Sequence, residues 1–320
     1  MRPAEPVPWP GTATSAASFA FDVDGESAVL GVQPRAADRP SVLSHQVYGP
    51  LTGLPRLLRI LARHGVRSTF FVPGHTAHRH PDAVRAIVDG GHEIAHHGYL
   101  HEPLAGPDGA VDERTEAEIL DRGLAALEEV VGVRPEGYRA PMWELTHASP
   151  GLLAERGFLY DSSLMDADVP YELDTGTGAS IVEIPVHWGL DDWEQYCYLP
   201  DVSGSGLIES PSKAVEMWRA EFEALHRDHG CFVLTAHPFL SGRPGRAAAL
   251  EGLIEHVASR PDVWLAPLGE IARHARSLGL PPRAIPRPDV LPDPHSLPGP
   301  HRLPPHDSSA PRDNESEGTR

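Results

Sequence analysis

The sequence predicts an α/β fold built on a parallel sheet, and three observations carry that prediction. Short apolar runs rich in β-branched and aromatic residues alternate with amphipathic helical patterns about seven or eight times, which implies strands wound with helices. The chain has 320 residues, a length at which a single (β/α) barrel is the favoured closure over an open doubly wound sheet. The side chains capable of chemistry collect after the C-terminal ends of the expected strands, where such a barrel assembles its site.

Residues 1–16 hold Pro3, Pro6, Pro8 and Pro10 with no leucine run, and read as a flexible arm. Ser18–Phe21 is the first strand and ends in Asp22. Leu51, Leu54, Leu57, Leu58 and Leu61 mark one helix face, which Gly65 terminates. Val66–Val72 reads as a strand, Pro81–Gly90 as a short helix and Glu93–His96 as a strand. Asp112–Val131 is helical, with Ile119, Leu120, Leu124 and Leu127 on one face. Further strands are expected at Gly137–Arg139, Phe158–Tyr160, Ile181–Val186, Cys231–Thr235 and Val263–Ala266, and helices near 150–156, 212–228, 245–258 and 268–277. The folded part is then 17–280. From Pro281 to Arg320 the chain carries 11 of its 34 prolines and almost no aliphatic periodicity, so a disordered tail is expected there.

Composition narrows the function classes. With 27 Lys+Arg against 45 Asp+Glu, the formal charge of −18 disfavours nucleic acid or an anionic membrane as partner. Two cysteines, Cys197 and Cys231, exclude a disulfide scaffold and a four-cysteine zinc site. No run reaches the roughly 18 apolar residues of a membrane span. Residues 1–18 lack the apolar core of a signal peptide, so the cytoplasm is the expected compartment.

Nineteen histidines make one His-x-x-x-His pair expected by chance, so spacing alone carries nothing. Context separates the two pairs present. His92 and His96 share a strand, where residues four apart lie about 13 Å from each other, too far to hold one ion. His97 and His101 follow the strand end, where a helical turn would bring the rings within about 6 Å. The run Phe19–Glu26 (FAFDVDGE) places Asp22 and Asp24 on one side of an extended backbone, a metal ligand beside a general base. The plainer alternative is a polar loop at Gly25. Arg139, in Tyr138–Trp143, can pair with a buried carboxylate, and Trp143 stands beside it. His237 ends the apolar run that begins at Cys231. Asp161, His187, Asp191 and Asp192 follow later strands and are candidates for support or substrate contact.

Read in order, FAFDVDGE, RSTFFVPG, GHEIAHHGYLH, YRAP and LTAH resemble the motifs of the polysaccharide deacetylase (NodB-homology, carbohydrate esterase 4-like) family, over about residues 19–275. The resemblance implies a distorted (β/α)7-8 barrel, with Asp24, His97 and His101 binding one divalent metal. It further implies Asp22 as base, Arg139 orienting that base, and His237 as acid. Zinc is the first choice of metal, and cobalt, nickel or iron suit the same ligands. Val23 separates two aspartates that are adjacent in the usual motif, which leaves the roles of Asp22 and Asp24 open to exchange. The Asp-x-Asp form, HGY and HPFLSGRPGR resemble a branch with Helicobacter-type peptidoglycan deacetylases, cyclic imide hydrolases and allantoinase-like enzymes, often homotetramers. The implied activity is hydrolysis of a non-peptide C–N bond, in an N-acetylated amino sugar or glycan or, alternatively, in a small cyclic imide or ureide. An inactive sugar-binding or scaffold protein on this fold would be expected to lack a ligand, the base or the acid, and none is missing.

Overall fold

The computed structural model describes residues 7–106, 109–199 and 208–285. Nine strands form one sheet: β1 (Ser15–Asp22), β2 (Thr69–Val72), β3 (Glu93–His96), β4 (Gly137–Tyr138), β5 (Tyr160–Asp161), β6 (Tyr171–Asp174), β7 (Ser180–Glu183), β8 (Cys231–Ala236) and β9 (Val263–Leu265). Their order is β8-β1-β2-β3-β4-β5-β7-β6, with β9 pairing with the first half of β1. Every pairing is parallel except β6 with β7. The sheet curls into a half-barrel whose path ends at β8 and β6. The antiparallel β6 was not expected, because Tyr171–Asp174 is too short and too mixed in polarity to separate from a loop by pattern.

β1 is buried along its whole length, and parallel strands covered on both faces read as continuous apolar runs for that reason. Phe21 stacks on Phe70 of β2 with ring centroids 4.9 Å apart. Beneath them packs α1 (Leu54–His64), which buries Leu54, Leu57, Ile60 and Leu61 and stops where Gly65 takes φ +63°. Leu51 lies outside this helix and is 61% exposed, because Gly49–Gly53 forms a separate π turn before it. The helices α2 (Pro81–Asp89), α3 (Glu113–Val131), α4 (Pro211–Arg227), α5 (Pro244–Ala258) and α6 (Leu268–Ser277) match the periodic segments closely. In α3, Asp112 caps the first turn by accepting from the Thr115 amide at 2.7 Å, and Gly132 ends the helix.

Both ends of the folded unit extend beyond the expected 17–280. Val7 and Trp9 are buried, and the Trp9 indole donates to the His229 carbonyl at 3.0 Å, so the second half of the expected N-terminal arm packs on the sheet. At the other end, Arg283 bridges to Leu173 and its amide donates to Glu172, so the chain as far as 285 belongs to this unit. The rest of the expected tail, 286–320, lies outside the described residues.

Gly123 of α3 faces the loop that carries the histidines. A Cβ there would stand 2.1 Å from His96 Nε2 and 2.7 Å from the Gly98 carbonyl. Gly123→Ala should therefore lower stability by about 1–3 kcal/mol in denaturant unfolding, although alanine is the better helix former.

Candidate metal centre and active site

β1 delivers both aspartates of the first motif. Asp22 is its last residue, and Asp24 follows at a turn made by Gly25 with φ +56°. The Asp24 carbonyl accepts from the hydroxyls of Ser27 and Thr76, which fixes the turn and leaves the Asp24 carboxylate facing inward. Val23, between them, points into the apolar cluster beneath the sheet.

β3 ends at His96, whose ring turns away from the site. Its Nδ1 accepts from the Gly98 amide and its Nε2 donates to the Leu120 carbonyl, while burial pushes its pKa down to about 3. It is a neutral packing residue, as its place in a strand suggested. His97 donates from Nδ1 to the Arg139 carbonyl at 2.8 Å, so its Nε2 lone pair is available and lies 3.6 Å from Asp24 Oδ1. His101 Nε2 lies 3.8 Å from Asp24 Oδ2, and burial pushes its pKa down to about 4, which keeps the ring neutral. The two rings are 5.0 Å apart, but no helical turn joins them. Gly98 (φ +71°) and His101 (φ +57°) take left-handed conformations, and the Glu102 carboxylate accepts from the Tyr99 and Leu100 amides at 3.0 and 2.8 Å. The expected proximity is therefore met by a braced loop.

Arg139 is fully buried and reaches Asp22 Oδ1 at 2.9 Å. It also donates to Thr235 Oγ1 and, through Nε and Nη2, to the carbonyl and hydroxyl of Ser162. Burial alone would raise the Asp22 pKa, but Arg139, His97 and His237 together hold it below the usual carboxylate value. Asp22 and Asp24 thus sit in different environments: one is paired with a guanidinium, the other faces two imidazoles.

His237 follows β8. Asp192 lies beside it because the chain after β7 returns to pair with β8, through an Asp191–Thr235 bridge and the Asp192 amide on the Thr235 carbonyl. Asp192 accepts His237 Nδ1 at 2.7 Å, the His237 amide, and the Ser241 amide and hydroxyl. Burial would lower the His237 pKa, yet Asp191 and Asp192 outweigh it and raise it to about 10. His237 Nε2 points back to the centre, 3.6 Å from Asp24 Oδ2.

Among the described residues, two groups are close enough to hold a metal: Asp24, His97 and His101, and Asp191, Asp192 and His237. The first fits a cation. Both Asp24 oxygens are buried without a hydrogen-bond partner, and the Nε2 atoms of His97, His101 and His237 stand 3.6–3.8 Å away, beyond hydrogen-bond reach, which leaves the carboxylate open to a bound cation. One carboxylate and two imidazoles are the donor set of a catalytic divalent site with open positions. The second group does not fit, since Asp192 is saturated by protein donors and His237 Nδ1 is committed to it.

The centre opens into a pocket of about 290 Å³. Two stretches of chain line it besides the centre itself: one supplies Met142, Trp143 and Glu144, the other Trp188, Trp193 and Glu194. Met142 and Trp143 both take positive φ, at +57° and +59°, a strained pair that turns the chain after Arg139 across the mouth. Trp143 and Asp191 line the pocket. Asp161 and His187 do not. Asp161 accepts from Ser163 Oγ and is hydrogen-bonded to Glu183, with burial raising its pKa to about 6. His187 is exposed and accepts from the Gly189 amide. Met142, Glu144, Trp188, Trp193 and Glu194 were not singled out; their only signal was position, two to five residues from Arg139 and Asp191.

The polysaccharide deacetylase family profile matches residues 47–159. The peptidoglycan deacetylase of Helicobacter pylori is 30% identical over 281 residues, covering 80% of this chain and 94% of that protein. The crystal structure of a candidate polysaccharide deacetylase from Mycobacterium smegmatis is 59% identical, with a TM-score of 0.87 over 90% of this chain and 99% of that one. The structure of the allantoinase PuuE is 26% identical, with a TM-score of 0.75 over 86% of this chain and 94% of that one.

The geometry sets the Asp24, His97 and His101 group apart from His237, which is bonded to Asp192. His97→Ala and Asp24→Ala should lose divalent-cation binding in equilibrium dialysis with elemental analysis. His237→Ala should retain it, and loss of metal in that variant would contradict the separation.

Proposed function

The chain belongs to the polysaccharide deacetylase family, and on that footing we propose that it is a metal-dependent hydrolase of non-peptide carbon–nitrogen bonds. The observation that carries the reading is one buried constellation: an ion-paired Asp22, an unpartnered Asp24 between two histidines, and a His237 held by Asp192. Asp24, His97 and His101 would hold one divalent cation, zinc being the first choice, which when bound supplies Lewis-acid activation of water and stabilisation of oxyanion charge.

The remaining chemistry falls to the protein's own groups. Asp22 takes a proton from the attacking water, and Arg139 keeps that carboxylate ionised and aimed. His237 enters protonated and gives its Nε2 proton to the departing nitrogen, without which the C–N bond would re-form the amide. Asp192 holds Nδ1 and so fixes which nitrogen donates.

For substrate, the H. pylori relative supports the first reading, an N-acetylated amino sugar or its polymer. A second reading, a small cyclic imide or ureide, is favoured by the pocket itself: about 290 Å³ lined by indole rings holds one ring more readily than a run of sugars. The similarity to PuuE supports the same class. Metal-loaded protein should release acetate from N-acetylglucosamine oligomers under the first reading and open succinimide- or hydantoin-type rings under the second. Turnover of neither would overturn both.

The alkaline limb of the kcat/KM profile should report loss of the His237 proton. Asp192→Asn removes a charge that favours the imidazolium, so the limb should move to lower pH, with kcat falling by up to about 10²-fold. An unshifted limb would exclude His237 as the acid.

A further inference from the structure

We infer that the pocket selects amides whose amine portion carries a second, cationic group, such as a monoacylated diamine or an oligosaccharide with a free amino group. The inference rests on the hydrolase reading and adds the substrate's charge.

Two of the carboxylates at the floor are matched by adjacent cationic groups. Asp22 faces Arg139 at 2.9 Å, and His237 faces Asp192 at 2.7 Å. Asp191 is capped by the Trp193 amide at 2.8 Å and lies 3.5 Å from His237 Nδ1. The rim is different. Glu144 and Glu194 line the pocket from separate stretches of chain, both exposed, and neither has an ion-pair partner among the described residues. Among the described residues no lysine or arginine lines the cavity.

The same lining carries indole rings. Trp188 is 56% exposed and Met142 54%, and Trp143 and Trp193 line the pocket with them. Apolar side chains left this open suit a ligand, and indole rings sharing a lining with carboxylates suit an ammonium group, which gains from both the ring quadrupole and the charges. His237 would protonate the departing nitrogen and packs against Trp193 with ring centroids 5.2 Å apart, so the amine portion would lie on the side of the pocket that carries Trp193 and Glu194. A carboxylate at the same place would meet two like charges.

Three amides of matched length isolate the effect: monoacetylated diaminobutane (cationic), N-pentylacetamide (neutral) and acetamidopentanoate (anionic). Binding to metal-loaded protein is followed by tryptophan fluorescence, and turnover by acetate release. The cationic amide should bind about 10- to 100-fold tighter than the neutral one, the anionic amide weakest, and the ratio should shrink with salt. Glu144→Gln/Glu194→Gln should bring the cationic-to-neutral ratio to within about threefold of unity, whereas Glu255→Gln, a remote change of the same kind, should leave it intact. Equal binding of the cationic and neutral amides, or an unchanged ratio in the double variant, overturns the inference. Selective binding with no turnover of any amide or ring would leave the charge preference standing and remove the hydrolase reading instead. A glucosamine disaccharide with one free amine, compared with its fully acetylated form, distinguishes an amino-sugar source from a linear diamine.

Discussion

One buried arginine holds the site together. The Arg139 guanidinium pairs with the base candidate on β1, reaches Thr235 on β8 and clamps Ser162 after β5, while its own carbonyl fixes the His97 tautomer. A charge taken fully out of water is tolerated only when its donors are satisfied and a counter-charge is adjacent; removing one partner of such a pair costs about 3–5 kcal/mol. Asp22 supplies that charge, and the ring of Phe71 covers one face of the guanidinium at 4.1 Å. The arginine therefore ties the ends of β1 and β8, already paired along their lengths, to the segment after β5.

Around it the site divides into two halves with opposite demands. Asp24, His97 and His101 form an acceptor-rich half: two imidazoles and a carboxylate whose oxygens find no protein donor. Asp192, Ser241 and His237 form a donor-saturated half, in which a carboxylate accepts from backbone amides, a hydroxyl and an imidazole. Asp24, His97 and His101, and equally Asp191, Asp192 and His237, lie close enough to hold a metal, and hydrogen-bond satisfaction, not proximity, tells the group suited to a cation from the one that is not.

Much of this was legible in the sequence. Buried parallel strands announce themselves as apolar runs, and the residue after each run lies at the end of the sheet where the site forms, which located Asp22, His97, Arg139 and His237. The same rule failed for Asp161, because a strand of only two residues gives no alternation from which to judge facing. Its side chain meets Ser163 and Glu183, away from the pocket. The His97–His101 approach depends on left-handed residues, and nothing at His101 advertises a positive φ. The tryptophans of the pocket come from short helical turns of three or four residues, whose course depends on tertiary contacts, and only their nearness in sequence to Arg139 and Asp191 hinted at them.

Anomalous diffraction from crystals soaked in zinc tests the central claim most directly. A single strong peak bounded by Asp24, His97 and His101, with His237 bonded to Asp192 and not to the metal, is the predicted result. A peak held by Asp191, Asp192 and His237, or no peak at either group, would contradict it.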